Sequence, residues 1–515
     1  MKSSTAINVF TLSVRHFTTE NTLPLLSKLP AMANSLLLPL SLVLMFSFHG
    51  CIAQLELSQR QFWQNLQEQQ QHRLRAKTQC RIERLNAREP SRKYNYDAGH
   101  YEIWDSNSED FECAGIEFVR YVIQPKGLYL PHYINAPGLI YVTEGSGIHG
   151  VVFPGCAETF ESDSSFSSSE GHESRYRDRH QKLRRFRKGD VLALPQALTY
   201  WIYNDKNTPI TIVALVDVGN DNNQLDLQFR KFFLAGKPQA SQSQGEYRES
   251  RRSREQGSQG GRGREEEQEK GNIFAGFDQD LLAEALDVDT QIINKLQSRE
   301  DERGVIVRAE KLRLALPEFE EEREREREPG SEGYNGLEET FCSAKIRENI
   351  DHPARADVYN PRGGRLSTVN SHSLPILSYL RLSAQKGVLY KNAIMTPHWS
   401  TNSHSAMYVT RGSARIQVVG NNGRRVFDED VNQGQLLVMP QNFVVVKKAS
   451  NEGFEWITFK TNDNAISNQL AGRLSAIRAM PIDVLTNSYG FSREDAWDLK
   501  YKREEATLFS PGSES

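Results

Sequence analysis

The sequence predicts a mainly β protein made of two jelly-roll barrels, each followed by a small helical extension. Three observations carry that reading: a duplication, many short runs rich in β-branched and aromatic residues bounded by Gly, Pro and Asn, and a capped helical period closing each copy. At 515 residues the chain also exceeds what one compact core usually supports, so two domains are the natural prior.

The duplication reads in order along the chain. GLYLPHY at 127–133 recurs as the KG at 386–387 leading into TPHW at 396–399. Each copy then enters an apolar run closed by glycine, LIYVTEG at 139–145 and AMYVTRG at 406–412. GDVLALP at 189–195 matches GQLLVMP at 434–440, and 282–297 resembles 485–500. Asp289 and Ser492 stand where each late helix needs an N-cap. Other strand-like runs are 116–123, 148–153, 210–216, 415–419, 444–447 and 454–459.

Insertions explain the unequal spacings. His132 to Gly189 spans 57 positions against 36 for His398 to Gly434, and Pro195 to Leu282 spans 87 against 45 for Pro440 to Leu485. The surplus falls in a Ser-rich stretch at 158–173 and in 241–271, rich in Arg, Gln, Gly, Ser and Glu, compositions of loop or disorder. A Glu/Arg segment at 318–333 separates the copies. Hydrophobic residues make up 38%, enough for real cores, while a mean hydropathy of −0.59 reflects these solvated segments. Arg outnumbers Lys about two to one. A net charge of −3 gives no electrostatic case for nucleic acid or an anionic membrane.

Met32 opens MANSLLLPLSLVLMFSFHGCIA, an apolar run and small-residue ending that read as a signal peptide over 32–53. Residues 1–31 fit poorly before it; an upstream misassigned start is the preferred account and a transit peptide its competitor. No later segment is expected to span a bilayer. Removing the leader removes Cys51 and leaves Cys80, Cys113, Cys156 and Cys342, an even number suited to two disulfides in an oxidising compartment, with three pairings open. No zinc spacing and no N-x-S/T sequon occurs.

NAPGLIYVTEGSG at 135–147, FPGC at 153–156, KGDVLALP at 188–195 and NGLEETFC at 335–342 resemble the legumin-type (11S) seed storage globulins of the cupin superfamily, over the whole of 54–515. The resemblance implies pairing of Cys80 with Cys113 and of Cys156 with Cys342. It implies cleavage by an asparaginyl endopeptidase between Asn335 and Gly336, in a segment whose composition already suggests an exposed, nickable loop. The products would be an acidic chain, 54–335, with 39 Lys+Arg against 47 Asp+Glu, and a basic chain, 336–515, with 21 against 18. Self-association as a precursor trimer and a processed hexamer is expected, as are passage through the endoplasmic reticulum to the seed's protein storage vacuole and allergenicity. The implied organisation is a barrel over 54–240, a variable loop over 241–272, a helical extension over 273–317, an acidic linker over 318–335, a second barrel over 336–470 and a helical tail over 471–515.

The rival reading is a two-barrel manganese enzyme of the oxalate decarboxylase or oxidase type, which holds its metal through three imidazoles and a carboxylate. Laid on the first barrel, its ligand pattern falls on His132, Ile134, Gly138 and Tyr200; on the second, on His398, Ser400, Ser405 and Val445. Each barrel keeps one of four ligands, and one imidazole does not retain a labile divalent ion. His404 could join His398 only in an improvised pair lacking a carboxylate. No GxSxG, HExxH or P-loop is present. The expectation is therefore no catalytic residue, metal or cofactor. Arg-rich runs occur at 184–188 and 248–264; glutamates interrupt or follow the second, and a secretory route leads away from most nucleic acid, so nucleic acid is not an expected partner.

Overall fold

The computed structural model describes residues 80, 82–158, 160–162, 178–238, 271–297, 301–310, 312, 314, 342 and 344–512. The leader, the upstream extension and the Asn335–Gly336 junction lie outside the described residues. What is described belongs to one compact unit, His72–Ser515.

Alternating and continuous apolar runs form two antiparallel sheets in the first barrel, as period-2 side-chain placement requires of strands with a buried face. One sheet runs Arg92–Tyr96, Gly99–Ile103, Glu117–Ile123, Ile210–Val216, Gly138–Glu144, Asp190–Leu194 and Arg347–Asn349. The other runs Lys231–Phe233, Gly127–Ile134, Thr199–Tyr203, Ser146–Val152 and Leu183–Arg187, with Ile306–Arg308 also paired to Gly127–Ile134. Side chains from both, such as Tyr121, Tyr129, Ile140, Tyr200 and Ile212, meet in one core.

The second barrel is built around two long strands. The runs at 415–419, 444–447 and 454–459 read from sequence as separate strands; they are parts of Ser405–Val419 and Val444–Lys460, paired along their length. Glycine lets the backbone bend there without losing the ladder. Gly412 has φ +71°, and a Cβ on it would lie 2.1 Å from the Gly453 carbonyl oxygen. The register shifts on either side of it, as bulges do. Gly145 holds the equivalent place in the first barrel with φ +83°, and there the chain divides into Gly138–Glu144 and Ser146–Val152.

Each barrel ends in helices, and the two endings match position by position. Leu282, Ile293 and Gln297 are buried in the first; Leu485, Ala496 and Lys500, at the same spacings, are buried in the second. Asp289 accepts a hydrogen bond from the Gln291 N–H, and Ser492 accepts one from Asp495 N–H. Gln297 donates to the carbonyls of Phe274 and Phe277, while Lys500 donates to that of Met480. The opposite faces stay apolar and exposed: Phe277, Leu281, Leu286 and Ile292 in the first, Val484, Tyr489, Trp497 and Leu499 in the second.

The barrels share a core and exchange segments. Phe118 of the first stacks on Tyr408 and packs against Phe459 of the second, with ring centroids 5.8 and 5.9 Å apart. Leu85, from the start of the described chain, is buried in the second barrel's core, where Arg88 and Leu436 exchange backbone hydrogen bonds of 2.9 Å. In return Arg347–Asn349, downstream of position 336, closes the first barrel's sheet against Asp190–Leu194. Ile346 and Ile350 flank it in the shared core.

Candidate functional site

The barrel interiors are where a cupin-like chain would carry chemistry, and the two have diverged. In the first, strand pairing sets His132 opposite Tyr200. His132 is fully buried, and its Nδ1 donates to the Leu130 carbonyl at 2.8 Å. Rings of Tyr200, Tyr129 and Phe233 surround it at centroid distances of 4.1, 4.3 and 5.0 Å. Desolvation in this aromatic box pushes its pKa down to about 3, so the imidazole is neutral across any physiological range. Ile134 is fully buried beyond it. At Gly138 a Cβ would approach the Leu215 carbonyl oxygen to 2.9 Å, so the backbone closes the position a carboxylate ligand would need.

The second interior is polar. His398, Ser400, Ser405 and Val445 line one cavity, with Gln385, Thr458, Lys447 and Lys460. His398 is register-paired with Val445, and its Nδ1 donates to the Thr396 carbonyl at 2.8 Å. Burial and the neighbouring ammonium groups hold its pKa well below the usual value. Lys460 donates to Ser405 Oγ at 3.3 Å and Ser400 Oγ at 3.4 Å. His404 is not in the cavity lining; its Nδ1 accepts from the Gln441 N–H at 3.3 Å. Sequence reasoning missed the two lysines, although period-2 spacing signalled one of them. Lys447 stands two residues from Val445 and therefore on the same strand face. Among the described residues no cluster of three or more His, Cys, Asp or Glu side chains could hold a metal ion.

The cysteines pair across the chain. Cys80 is bonded to Cys113, with Cα atoms 4.9 Å apart, and Cys156 to Cys342, with Cα atoms 5.5 Å apart. Both Cα separations suit a disulfide. Among the described residues no helix is long and apolar enough to cross a membrane.

Comparison with known proteins agrees with this architecture. The Cupin family model matches residues 85–240 and 348–496. The 11S globulin subunit beta of Cucurbita maxima is 47% identical over 469 residues, covering 90% of this chain and 95% of that one. Among solved structures, the coconut allergen cocosin superposes with a TM-score of 0.71 at 43% identity, covering 84% of this chain and all of the other. The recombinant pro-11S globulin of pumpkin superposes with a TM-score of 0.70 at 44% identity, with the same coverage. Two barrels with capped helical endings, a family model that matches both, and relatives that are storage globulins lead to one conclusion: the chain belongs to the 11S seed storage globulins of the cupin family.

Proposed function

We propose that the chain is a precursor cut after Asn335 into acidic (54–335) and basic (336–515) chains that stay joined and pack as hexamers in the protein storage vacuole. The observation that carries this reading is the reciprocal exchange of segments across the Asn335–Gly336 junction. Residues just after it, Arg347–Asn349, pair with the first barrel, and Leu85 packs in the second. Arg347 pairs with Asp190 at 3.2 Å, and Asn349 donates to Asp190 Oδ1 at 2.8 Å. Cys156–Cys342 spans the junction covalently. The exchanged strand, the core residues and the disulfide lie on both sides of the junction and would hold the two chains together after a cut.

The helical endings support self-association. Each presents an exposed apolar face, and large apolar patches on a soluble protein mark contact surfaces. Two different patches, one after each copy of the repeat, suit a heterologous contact that closes into a trimeric ring. Cleavage would clear the acidic linker from a barrel face, after which two trimers stack by two-fold pairing.

The test is the purified precursor treated with asparaginyl endopeptidase. Reduction should then split one gel band into two, the smaller beginning at Gly336, while gel filtration moves from trimer to hexamer. An Asn335→Gln variant should remain trimeric. Hexamers formed by that uncut variant would sink the coupling of cleavage to stacking, and a smaller chain with another N-terminus would sink the assigned site.

A further inference from the structure

We propose that the interior of the second barrel binds a small monovalent anion, held between the ammonium groups of Lys447 and Lys460 and hydrogen-bonded by the hydroxyl of Ser405. The inference is independent of the processing scheme above.

The argument starts from charge. Lys447 and Lys460 are 3% and 6% exposed, and both line the same cavity. No carboxylate lines it: its other polar groups are His398, Gln385, Ser400, Ser405 and Thr458. Buried charges in proteins are ordinarily paired. Among the described residues, the acceptors ranged against the ammonium groups are all uncharged. Lys460 has the two serine hydroxyls at 3.3 and 3.4 Å. Lys447 has the Met395 thioether at 3.7 Å and the Trp456 ring at 5.4 Å from its centroid. Each ammonium carries three donors, more than these acceptors answer.

The remaining groups are arranged to receive an acceptor. Ser405 accepts from Lys460 and keeps its own proton to donate. Ser400 is engaged with Ser403 Oγ at 2.7 Å, which fixes the side of the cavity. His398 spends its Nδ1 proton on Thr396, so the ring adds no charge. Facing strands therefore contribute two cations and no anion: Ile394–Ser400 supplies His398, Val444–Lys460 supplies both lysines, and Ser383–Leu389 and Ser405–Val419 supply only neutral lining groups.

Size sets the ligand class. The cavity measures about 20 Å³, room for little more than one water-sized particle. That admits a halide or a formate-sized carboxylate and excludes aromatic acids. Met439, Pro440, Phe443 and Val445 supply the apolar part of the lining. The first barrel shows the contrast, its equivalent space being filled by Tyr129, Tyr200 and Phe233 around His132.

Proton linkage gives the site a signature. Burial, with repulsion from Lys460, pushes Lys447 down to about 7, and burial alone pushes Lys460 down to about 8. An anion favours the charged forms, so binding takes up protons near neutrality and strengthens toward acid.

Two measurements on the full-length protein decide the matter. Crystals grown at about pH 5 with sodium bromide as the only halide should show an anomalous peak within hydrogen-bond reach of both lysine nitrogens. The peak should vanish in the Lys447→Met, Lys460→Met double variant. Bromide found only at surface arginines, or undiminished in the double variant, overturns the proposal. Should the variant not fold, melting of the wild type in bromide against gluconate at equal ionic strength stands on its own. Bromide should raise the melting temperature at about pH 7 and not at about pH 10; equal shifts at both, or none at either, reject the site.

Discussion

Replacing Phe118 by Ala should cost the precursor about 4–5 kcal/mol and loosen one barrel from the other. Phe118 is fully buried. Trp104 meets it edge-on at 5.0 Å within the first barrel, while Tyr408 and Phe459 reach it from the second. Truncating a buried Phe costs about 3–5 kcal/mol in transfer and cavity terms. Three ring partners, each adding about 0.5–1.5 kcal/mol beyond area, place this site in the upper part of that range. Against a total stability of about 5–15 kcal/mol, the loss runs from about a quarter to all of it. The assay is guanidinium unfolding of the uncut protein followed by tryptophan fluorescence. Wild type should unfold in a single transition, because one core runs through both barrels. The variant's midpoint should fall by about 1 M, taking a slope of about 4 kcal/mol/M, and the curve should resolve into two steps. A loss below about 1 kcal/mol, or two steps already present in wild type, would refute the shared-core argument.

Rebuilding the enzyme-like ligand set in the first barrel with Ile134→His, Gly138→Glu and Tyr200→His should not yield stoichiometric manganese. The Gly138 change alone should destabilise by about 1–3 kcal/mol, typical of overpacking, since its Cβ meets the Leu215 carbonyl. One manganese per chain by metal analysis, with unchanged melting, would show that the interior can open. Lys460→Met tests the second barrel's electrostatics in buffers of bulky anions. Unfolded lysine titrates at about 10.4, whereas folded Lys460 titrates at about 8. The unfolded chain thus binds more protons between those values, and wild-type stability rises with pH there. Below about 8 the burial penalty is fully present and flat. The methionine variant should exceed wild type by up to about 3 kcal/mol near pH 6 and lose that lead by about pH 10; a gap that does not change with pH would mean Lys460 is not the titrating group.

Much of this architecture was legible because it repeats. Asp289 and Ser492 occupy the same place in two copies, and both cap helices. Gly145 and Gly412 end matching apolar runs, and both have positive φ where a side chain would strike backbone. Pairing between distant strands was not legible. Arg347–Asn349 is three residues long, too short to show a period, and nothing local says that its partner lies in the other barrel. The two long strands read as fragments because a bulge interrupts the alternation that period-2 reasoning follows. The cavity lysines were hidden for a different reason. Lys447 sits in a run of valines, where a charged residue at a strand end reads as solvent-facing until the fold turns that face inward.

The exchanged segments bear on how such a store is emptied. In the proposed cut form, the disulfide between Cys156 and Cys342 is the one covalent tie described between the halves, and packing across the junction adds to it. Leu85 remains sunk in one barrel, and Ile346 and Ile350 in the other. Reducing that disulfide alone should therefore leave the two proposed chains together. Taking the proposed two-chain form apart would then call for breaking backbone rather than sulfur bonds, which would make proteolysis the step that sets how fast the reserve is drawn down.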